Sequence, residues 1–436
     1  MLEPKLEAAV GMSRKWDARE AGREVARNTI EKLSRPPDFF LLFSTIHYEK
    51  HGGFQEFLNG VWDVLPKGTP LLGGTVVGFM NNYGCYTHGA SALAVSYPYM
   101  DVAIGYGQNT KRNPKQSAYQ SVDMIKNRFA SSNYKNKFLL NFVSGPETLS
   151  IPGHGRKKFI DSGFASRFVS LIFSTSQYFL QKGPGREDEV FEEISKKLSD
   201  YNILLGTSMD DYRWIDSYQF FNDKIVTNSI INLGLSTDLD ISVCTTHGMK
   251  ETEIKFEITK LSRDGHIIQQ INGKPAVPEL YRLLKWPDGF LNEKTMAHTI
   301  LYYPISLKRH GRAVPAVMPV ILKDSIITPC KIDKGEVSIL TVSGKNIIES
   351  MQNNLQNFNN LEPKFGLFSS CMTILQTLGY ATDKIRNEIL RYFGNNPFIM
   401  FFCAGEGTYS SVRNLTYANM SFNTAIFGHS RDITKV

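Results

Sequence analysis

The chain has 436 residues, which is long for one compact core and predicts two domains. With 42% hydrophobic and 21% charged residues, its composition is that of a soluble globular protein. No apolar run approaches the ~20 residues that a membrane-spanning helix needs, and the charged amino terminus does not resemble a secretion signal. We therefore expect an intracellular, cytoplasmic protein without membrane insertion.

The charge and the cysteines exclude several classes of partner and cofactor. The net charge of +7 is modest, and the basic clusters at 111–137 and 156–158 occur without any nucleic-acid-binding motif. A solvated surface and no nucleic-acid partner are therefore expected. None of the five cysteines belongs to a CxxC pair, which argues against a zinc ribbon, a thioredoxin motif or covalent haem attachment: Cys85, Cys244, Cys330, Cys371 and Cys403. We expect them to be reduced thiols.

In chain order, the first part of the sequence alternates helical and strand patterns. Apolar residues recur at helical spacing in 17–33, and the Pro36-Pro37 pair ends that helix before the apolar strand DFFLLFST (38–45). An amphipathic helix over 53–65 comes next. Three strand patterns then follow, TPLLGGTVVGF, SALAVSY and DVAIGYG. This order predicts a unit of strand, helix, glycine-bearing strand and returning strand.

The same order is predicted twice more. The second unit consists of the strand FVSLIFSTS (168–176), the helix EDEVFEEISKKLSD (187–200), the strand YNILLGTSMDD (201–211) and further strand-like segments. The third consists of KFGLFSSC (364–371), the helix TDKIRNEILRYFG (382–394), NPFIMFFCAGEG (396–407) and NMSFNTAIFG (419–428). We therefore predict an α/β fold of mixed β-sheets covered by helices, built from divergent internal repeats of a strand-helix-strand-strand unit.

A segment of different character separates the second and third units. It reads as a hairpin turned at Asp264-Gly265, a short helix beginning near Pro278, and four short β patterns over 300–343. We place the main domain boundary at this segment. The prediction is an amino-terminal domain of residues 1–265, with two repeat units, and a carboxyl-terminal domain of residues 266–436.

Small polar residues close the predicted strands at the edge where open α/β sheets bind ligands. Hydroxyls end the first strand of each unit: Ser44, Thr45, Ser174, Thr175, Ser369 and Ser370. Small residues also occur in the second strands: Gly73, Gly74, Thr75, Gly206, Thr207 and Gly405. These residues predict a pocket for a small polar ligand. For any single position, helix capping by Ser and Thr, or close strand crossing at glycine, is the commoner explanation.

Charged and reactive residues near these strand ends extend the candidate ligand site: His47, Asp210, His247, Cys371 and Glu406. The sequence contains no GxGxxG, GxxxxGK[ST], HExxH, GxSxG or EF-hand motif. We therefore predict no catalytic residue, no metal site and no nucleotide-binding loop, and we expect the protein not to be an enzyme.

Several stretches resemble the FIST family of sensory proteins. GMSRKWDAREAGREVARNTIEKL, DFFLLFST, PLLGGTVVG and LLGTSMDD are similar to its amino-terminal domain, and HGMKETEIKFEITKLSRDGHIIQQINGKPAVPELY is the most specific part of the match. FGLFSSCM and FIMFFCAGEGTYSSVRNLTYANMSFNTAIFG resemble its carboxyl-terminal domain, with Gly405-Glu406 and Asn419-Met-Ser421 as landmarks. The resemblance implies an intracellular sensory module that binds a small ligand, with amino acids or their derivatives suggested.

Three functions follow from the residues and the resemblance together. In the first, a small polar ligand binds at the strand ends, and the signal passes to a separate output protein or through a homo-oligomer. In the second, the protein is a haem-based nitric oxide sensor, with His247 or His47 as the axial ligand. In the third, it is a thiol-dependent enzyme that uses Cys371 or Cys403. The first is preferred, and it requires no resident cofactor.

Overall fold

The computed structural model describes residues 5–148, 150, 155–299, 302–309 and 311–431, and in this part the chain is a mixed α/β protein with four β-sheets. The predicted fold class, mixed sheets covered by helices, is confirmed.

The elements alternate along the chain as the sequence indicated, with more strands than predicted. Residues 7–96 form β1 Glu7–Ser13, α1 Ala18–Ile30, β2 Phe39–Ser44, α2 Phe54–Trp62, β3 Leu71–Thr75, β4 Gly78–Asn81, β5 Gly84–Tyr86 and β6 Ala90–Ser96. Residues 100–237 form β7 Met100–Gln108, α3 Pro114–Arg128, β8 Asn136–Ser144, β9 Phe159–Ile160, α4 Gly163–Phe179, α5 Glu187–Lys197, β10 Asn202–Ser208, β11 Gln219–Phe221, β12 Lys224–Val226 and β13 Ser229–Thr237.

The remaining elements include the segment of different character. Residues 240–341 form β14 Asp240–Thr246, β15 Lys250–Leu261, β16 Ile267–Ile271, β17 Lys274–Pro275, α6 Ala276–Leu284, α7 Glu293–Thr299, β18 Ile305–Arg309, β19 Arg312–Ala316, β20 Val320–Leu322, β21 Ile326–Ile327 and β22 Gly335–Thr341. Residues 344–430 form α8 Gly344–Gln356, β23 Leu361–Cys371, α9 Met372–Leu378, α10 Thr382–Phe393, β24 Phe398–Cys403, β25 Glu406–Tyr409, β26 Thr416–Ala418 and β27 Phe422–Ser430.

Three six-stranded sheets share one strand order. The first sheet runs β1-β6-β2-β3-β11-β12, the second β7-β13-β8-β10-β25-β26, and the third β14-β27-β23-β24-β4-β5. In each, the two middle strands are parallel and an antiparallel strand flanks the first of them. The hairpin at the far edge comes from a different stretch of chain in every sheet, so each sheet is completed by another part of the sequence.

The fourth sheet is formed mainly by the inserted segment. Its order is β19-β18-β22-β15-β16-β21-β20-β9, with β17 paired to β16. The hairpin predicted at Asp264-Gly265 is confirmed, because β15 and β16 pair antiparallel on either side of it. The second, third and fourth sheets contain strands from both sides of residue 265. The division into domains 1–265 and 266–436 stays a prediction.

One predicted strand is wrong. Residues 168–176 lie inside helix α4, so Ser174 and Thr175 do not end a strand, and the side chain of Ser174 lies outside the described part. The strand that pairs parallel with β10 is instead β8, which ends at Ser144. A short apolar run has no periodicity that separates a buried strand from a helix, so the sequence offered two equivalent choices. The internal repetition of the sequence also stays a prediction.

The inner faces of the three sheets meet on three phenylalanines. The rings of Phe43 and Phe401 stack with centroids 4.4 Å apart, and Phe142 contacts them edge-on at 5.6 and 5.8 Å. All three side chains are buried. Gly206 lies directly under this cluster, since a Cβ there would be 2.2 Å from Cε2 of Phe401. The glycine thus permits the second sheet to approach the third.

Replacement of Gly206 by alanine is expected to destabilise the protein by about 1–3 kcal/mol, because the new methyl group must displace a packed ring. Chemical denaturation measures the loss. Gly344→Ala is the matched control, because its Cβ would meet only the Leu378 side chain at an ordinary 3.5 Å. Equal free energies of unfolding for the two variants would contradict the close approach.

Candidate functional site

An open pocket of about 860 Å³ lies among the amino-terminal ends of α3 and α5, strand β18 and strand β26. We call it the charged pocket. Seven basic side chains line it: Arg112, Lys115, Arg186, Lys196, Lys308, Arg309 and Lys331. Five acidic side chains share the lining: Asp188, Glu189, Glu192, Glu193 and Asp333. The excess of positive charge favours a ligand that carries a negative group.

Arg186 forms a fixed wall of the charged pocket. It precedes α5 in a left-handed conformation, with φ at 57°. Its guanidinium makes two parallel bonds with the Glu189 carboxylate, at 2.6 and 2.9 Å, and donates to the Lys111 carbonyl at 2.8 Å. Bonds from both sides hold the guanidinium plane in one orientation.

Asp188, Arg309 and Tyr417 form the floor of the charged pocket. Oδ2 of Asp188 accepts a bond from the backbone N–H of Lys331 at 2.9 Å and lies 3.6 Å from Nη2 of Arg309. The Arg309 guanidinium in turn lies 5.5 Å above the centre of the Tyr417 ring. The other Asp188 oxygen, Oδ1, is buried and lacks a hydrogen-bond partner among the described residues. The floor therefore places the Arg309 guanidinium beside the Asp188 carboxylate, one oxygen of which is buried without a partner among the described residues.

Glu187 is fully buried beneath this floor. The Tyr417 hydroxyl donates to its Oε1 at 2.9 Å, while Oε2 has no partner in the part of the chain that the structure describes. Burial, and secondarily the neighbouring Asp188 carboxylate, raises the pKa of the Glu187 carboxyl to about 7. The charge of this group therefore changes near neutral pH.

A second buried carboxyl, Glu406, lies further inside. Its Oε1 accepts bonds from the backbone N–H of Ser421 at 3.3 Å and from the Ser421 hydroxyl at 3.5 Å. Burial holds the pKa of Glu406 well above its ordinary value. Gly405, which precedes Glu406 in the chain, packs directly against the Glu187 carboxyl, because a Cβ there would lie 2.4 Å from Oε1 of Glu187. The pocket floor thus continues into a buried acidic cluster.

Two thiols adjoin Glu406 at the ends of the parallel strands β23 and β24. Cys371 and Cys403 are paired across the register of these strands, and both are buried. Burial raises the pKa of each thiol, and the nearby Glu406 carboxyl acts in the same direction. A thiolate nucleophile needs the opposite shift.

Among the described residues, no group of three or more His, Cys, Asp or Glu side chains is placed to hold a metal ion. No helix in the described part is both long and apolar enough to span a membrane.

Comparison with known proteins places the chain in a family. The model of the FIST N domain matches residues 38–274, which is more than half of the chain. The chain belongs to the FIST family. The carboxyl-terminal FIST domain implied by the sequence resemblance stays a prediction.

Solved structures give only distant likenesses to this FIST chain. It is similar to the crystal structure of cyanuric acid hydrolase from A. caulinodans, with a TM-score of 0.28 and 9% identity over 54% of this chain and 72% of the other. It is also similar to PurLQS from Thermotoga maritima, with a TM-score of 0.18 and 11% identity over 98% and 73% of the two chains. At these TM-scores neither likeness informs its function. No curated protein matches the chain.

Seven of the predicted site residues of the FIST chain lie in or beside the buried acidic cluster: Thr207, Ser369, Ser370, Cys371, Gly405, Glu406 and Asn419. Most of their polar groups are bonded within the protein. The Thr207 hydroxyl accepts from the backbone N–H groups of Ala404 and Gly405 at 3.1 Å, and the Asn419 amide donates to the Ala404 carbonyl at 3.1 Å. Ser369 donates to the Leu205 carbonyl at 2.7 Å. These hydrogen bonds therefore satisfy polar groups at the strand ends within the protein.

Other predicted residues at strand ends have local structural contacts. Thr75 accepts from the Tyr218 N–H at 2.9 Å, and Asp210 accepts from the backbone of Trp214 and Ile215 at 2.9 and 2.7 Å. Ser44 is buried without a partner in the described part of the chain. Gly73 and Gly74 leave no space for a side chain, since added Cβ atoms would lie 1.7 and 2.4 Å from backbone oxygens. The site role proposed for all these residues stays a prediction.

The two predicted histidines are not among the residues that line the charged pocket. His47 stacks near His88, with centroids 3.8 Å apart, and its Nδ1 is 2.7 Å from the Thr45 hydroxyl. Burial, and secondarily His88 and His51, lowers the pKa of His47 to about 3. Both ring nitrogens of His247 contact backbone groups, at Ala313 and Met249.

Sequence reasoning missed the residues that form the charged pocket. Arg186, Asp188, Arg309 and Tyr417 come from three separate stretches. The acidic run Glu187-Asp188-Glu189 is what the first turn of an ordinary helix contains, so it carried no distinctive signal. Only the fold brings it against β18 and β26.

Glu187→Gln is expected to change how stability depends on pH. The unfolded carboxyl ionises near its ordinary pKa of 4.5, whereas the folded one keeps its proton up to about 7. The folded state binds more protons in this interval, so its stability falls as pH rises from about 4.5 to about 7. The glutamine variant lacks this fall, which is on the order of 3 kcal/mol.

Urea denaturation across this pH range tests the expectation. Glu192→Gln on the same helix is the control, because its side chain is 53% exposed. Identical pH profiles for wild type and Glu187→Gln would show that Glu187 is not held protonated. Any slope that remains in the variant comes from other groups whose pKa values are shifted, among them Glu406, Asp210 and His47.

Proposed function

We propose that this FIST chain is a sensory protein that binds a small polar ligand in the charged pocket and transmits the signal to a separate partner. The observation that carries the proposal is the pocket floor, where the Arg309 guanidinium lies 3.6 Å from the Asp188 carboxylate. The family resemblance supports a sensory role, and the cytoplasmic setting belongs to the same proposal. No catalytic residue and no resident cofactor are part of it.

The chemistry of the floor favours a zwitterionic ligand such as an amino acid or its derivative. A ligand carboxylate matches the Arg309 guanidinium, which is 22% exposed and aligned over Tyr417. A ligand ammonium group matches the negative charge of the Asp188 carboxylate, which lines the pocket. A ligand with both charges matches both groups, whereas a simple anion matches Arg309 alone.

Transmission of the signal requires that the ligand bind one arrangement of the protein more tightly than another. The charged pocket is suited to this because its lining comes from α3, α5, β18 and β26, which belong to separate stretches of chain. Closure around a ligand would change the spacing of α3 and α5. A separate output protein, or a second copy of the chain, would then read that change.

Arg309→Gln and Asp188→Asn are each expected to weaken amino-acid binding by about 10- to 100-fold, because each removes a charged hydrogen bond to the ligand. Thermal shift with the twenty common amino acids identifies the ligand, since saturation at 100 times Kd adds about 2.7 kcal/mol of stability. Calorimetry then compares the variants. Acetate and methylamine, each with one of the two charges, are expected to bind much more weakly.

Lys345→Gln serves as the control, since its side chain is 84% exposed and does not line the charged pocket. Circular dichroism verifies that all variants are folded. Unchanged affinity in folded Arg309→Gln and Asp188→Asn would move the ligand site elsewhere. Absence of any amino-acid shift in the wild-type protein would overturn the zwitterionic ligand.

A further inference from the structure

Helix α4 carries an apolar stripe on its solvent-facing side. Phe164 is 85% exposed, Leu171 is 65% exposed and Phe179 is 82% exposed. Phe168 and Tyr178 extend the same stripe, at 42% and 44% exposure. At about 100° per residue, these five positions fall within an arc of about 100°. Solvent-exposed helix faces normally carry polar residues, so this face is suited to a partner.

The orientation of α4 is fixed by its opposite side. Ala165 and Val169 are buried in a small core with Ile160 and Leu322, and Phe173 packs against it. The exposed stripe therefore cannot turn inward without losing this contact. Thr175 lies within the stripe, and its hydroxyl donates to the Leu171 carbonyl of its own helix at 2.9 Å. The polar group in the stripe is thus satisfied without water.

The charge around the stripe is positive. α4 has no acidic residue, and Arg167 is its basic one. Arg156, Lys157 and Asp161, shortly before the helix, are exposed as well, so this segment and α4 add three exposed basic side chains and one exposed acidic one. None of the three basic side chains forms an ion pair within the described part of the chain. Two copies of such a face would repel each other, whereas an anionic surface would be attracted.

We propose that α4 docks flat on an anionic lipid surface. Its 17 residues are about 25 Å long, so the helix is too short to cross a bilayer but long enough to lie in the headgroup region. Phe164 and Phe179, about 22 Å apart along the axis, would insert at its two ends. Arg167 at the edge of the stripe would contact lipid phosphates. Tyr178 of the stripe also lines the charged pocket, whereas Phe164 and Phe179 do not, and the surface role is proposed independently of the ligand site.

Two features favour lipid over a protein partner. The stripe is the exposed face of a single helix, whereas recognition of a partner helix requires a groove. Its apolar part consists of aromatic and leucine side chains with Arg167 at the edge, a combination found in interfacial helices. Positive charge adds long-range attraction, which salt would screen.

Flotation of the full-length protein with vesicles tests the proposal. Vesicles of phosphatidylcholine with one third phosphatidylglycerol are expected to bind the wild type, and pure phosphatidylcholine much less. The double variant Phe164→Ser/Phe179→Ser is expected to lose binding by about 10- to 100-fold. Arg167→Glu is expected to weaken binding to the anionic vesicles alone. Binding is expected to fall as salt rises.

Val412→Ser is the matched control, because Val412 is 87% exposed and lies in the loop between β25 and β26, outside α4. All substituted side chains are exposed, so the variants keep the fold, which circular dichroism verifies. Failure of the wild type to float with anionic vesicles would overturn the proposal, as would equal flotation of the double variant. Self-association that the double variant abolishes, without vesicle binding, would assign the face to a second copy instead.

Discussion

The contact among Phe43, Phe142 and Phe401 is the constraint on which the rest of the structure depends. Each ring comes from a parallel strand of a different sheet, so burial of one requires the other two sheets to be in place. Gly206 provides the space for this approach. Because the edge hairpin of each of these sheets comes from another stretch of chain, the hydrogen bonds within each sheet also join separate stretches of the chain. Packing and pairing therefore reinforce each other.

The charged pocket follows from this arrangement. Its floor needs β26 from near the carboxyl end beside α5 and β18, and β26 reaches that place because its hairpin completes the second sheet. The same packing removes Glu187 and Glu406 from water, and the cost of ionising a buried carboxyl then raises both pKa values. The charged pocket, which is open to solvent, thus lies over the two buried carboxyls of Glu187 and Glu406, whose pKa values are raised.

The incorrect prediction of a strand at 168–176 shows that a short apolar pattern does not distinguish a buried strand from a helix. FVSLIFSTS and the actual strand β8 are both short apolar segments that end on hydroxyl residues. Local sequence does not decide between them, because an apolar run of this length suits a buried strand or one side of a helix. The decision came from the parallel neighbour β10, which pairs with β8 along its whole length. A strand that is buried on both faces must pair with neighbouring strands, and its own sequence does not determine which strands these are.

The sequence by itself determined the α/β class, helices α1 and α2, the hairpin at Asp264-Gly265 and the buried character of the parallel strands. These depend on periodicity and turn residues within about ten to fifteen positions, which a single chain displays directly. Only the tertiary structure decided which hairpin completes which sheet, and that Asp188, Arg309 and Tyr417 share one floor. Those contacts join residues more than a hundred positions apart, and no local preference encodes them.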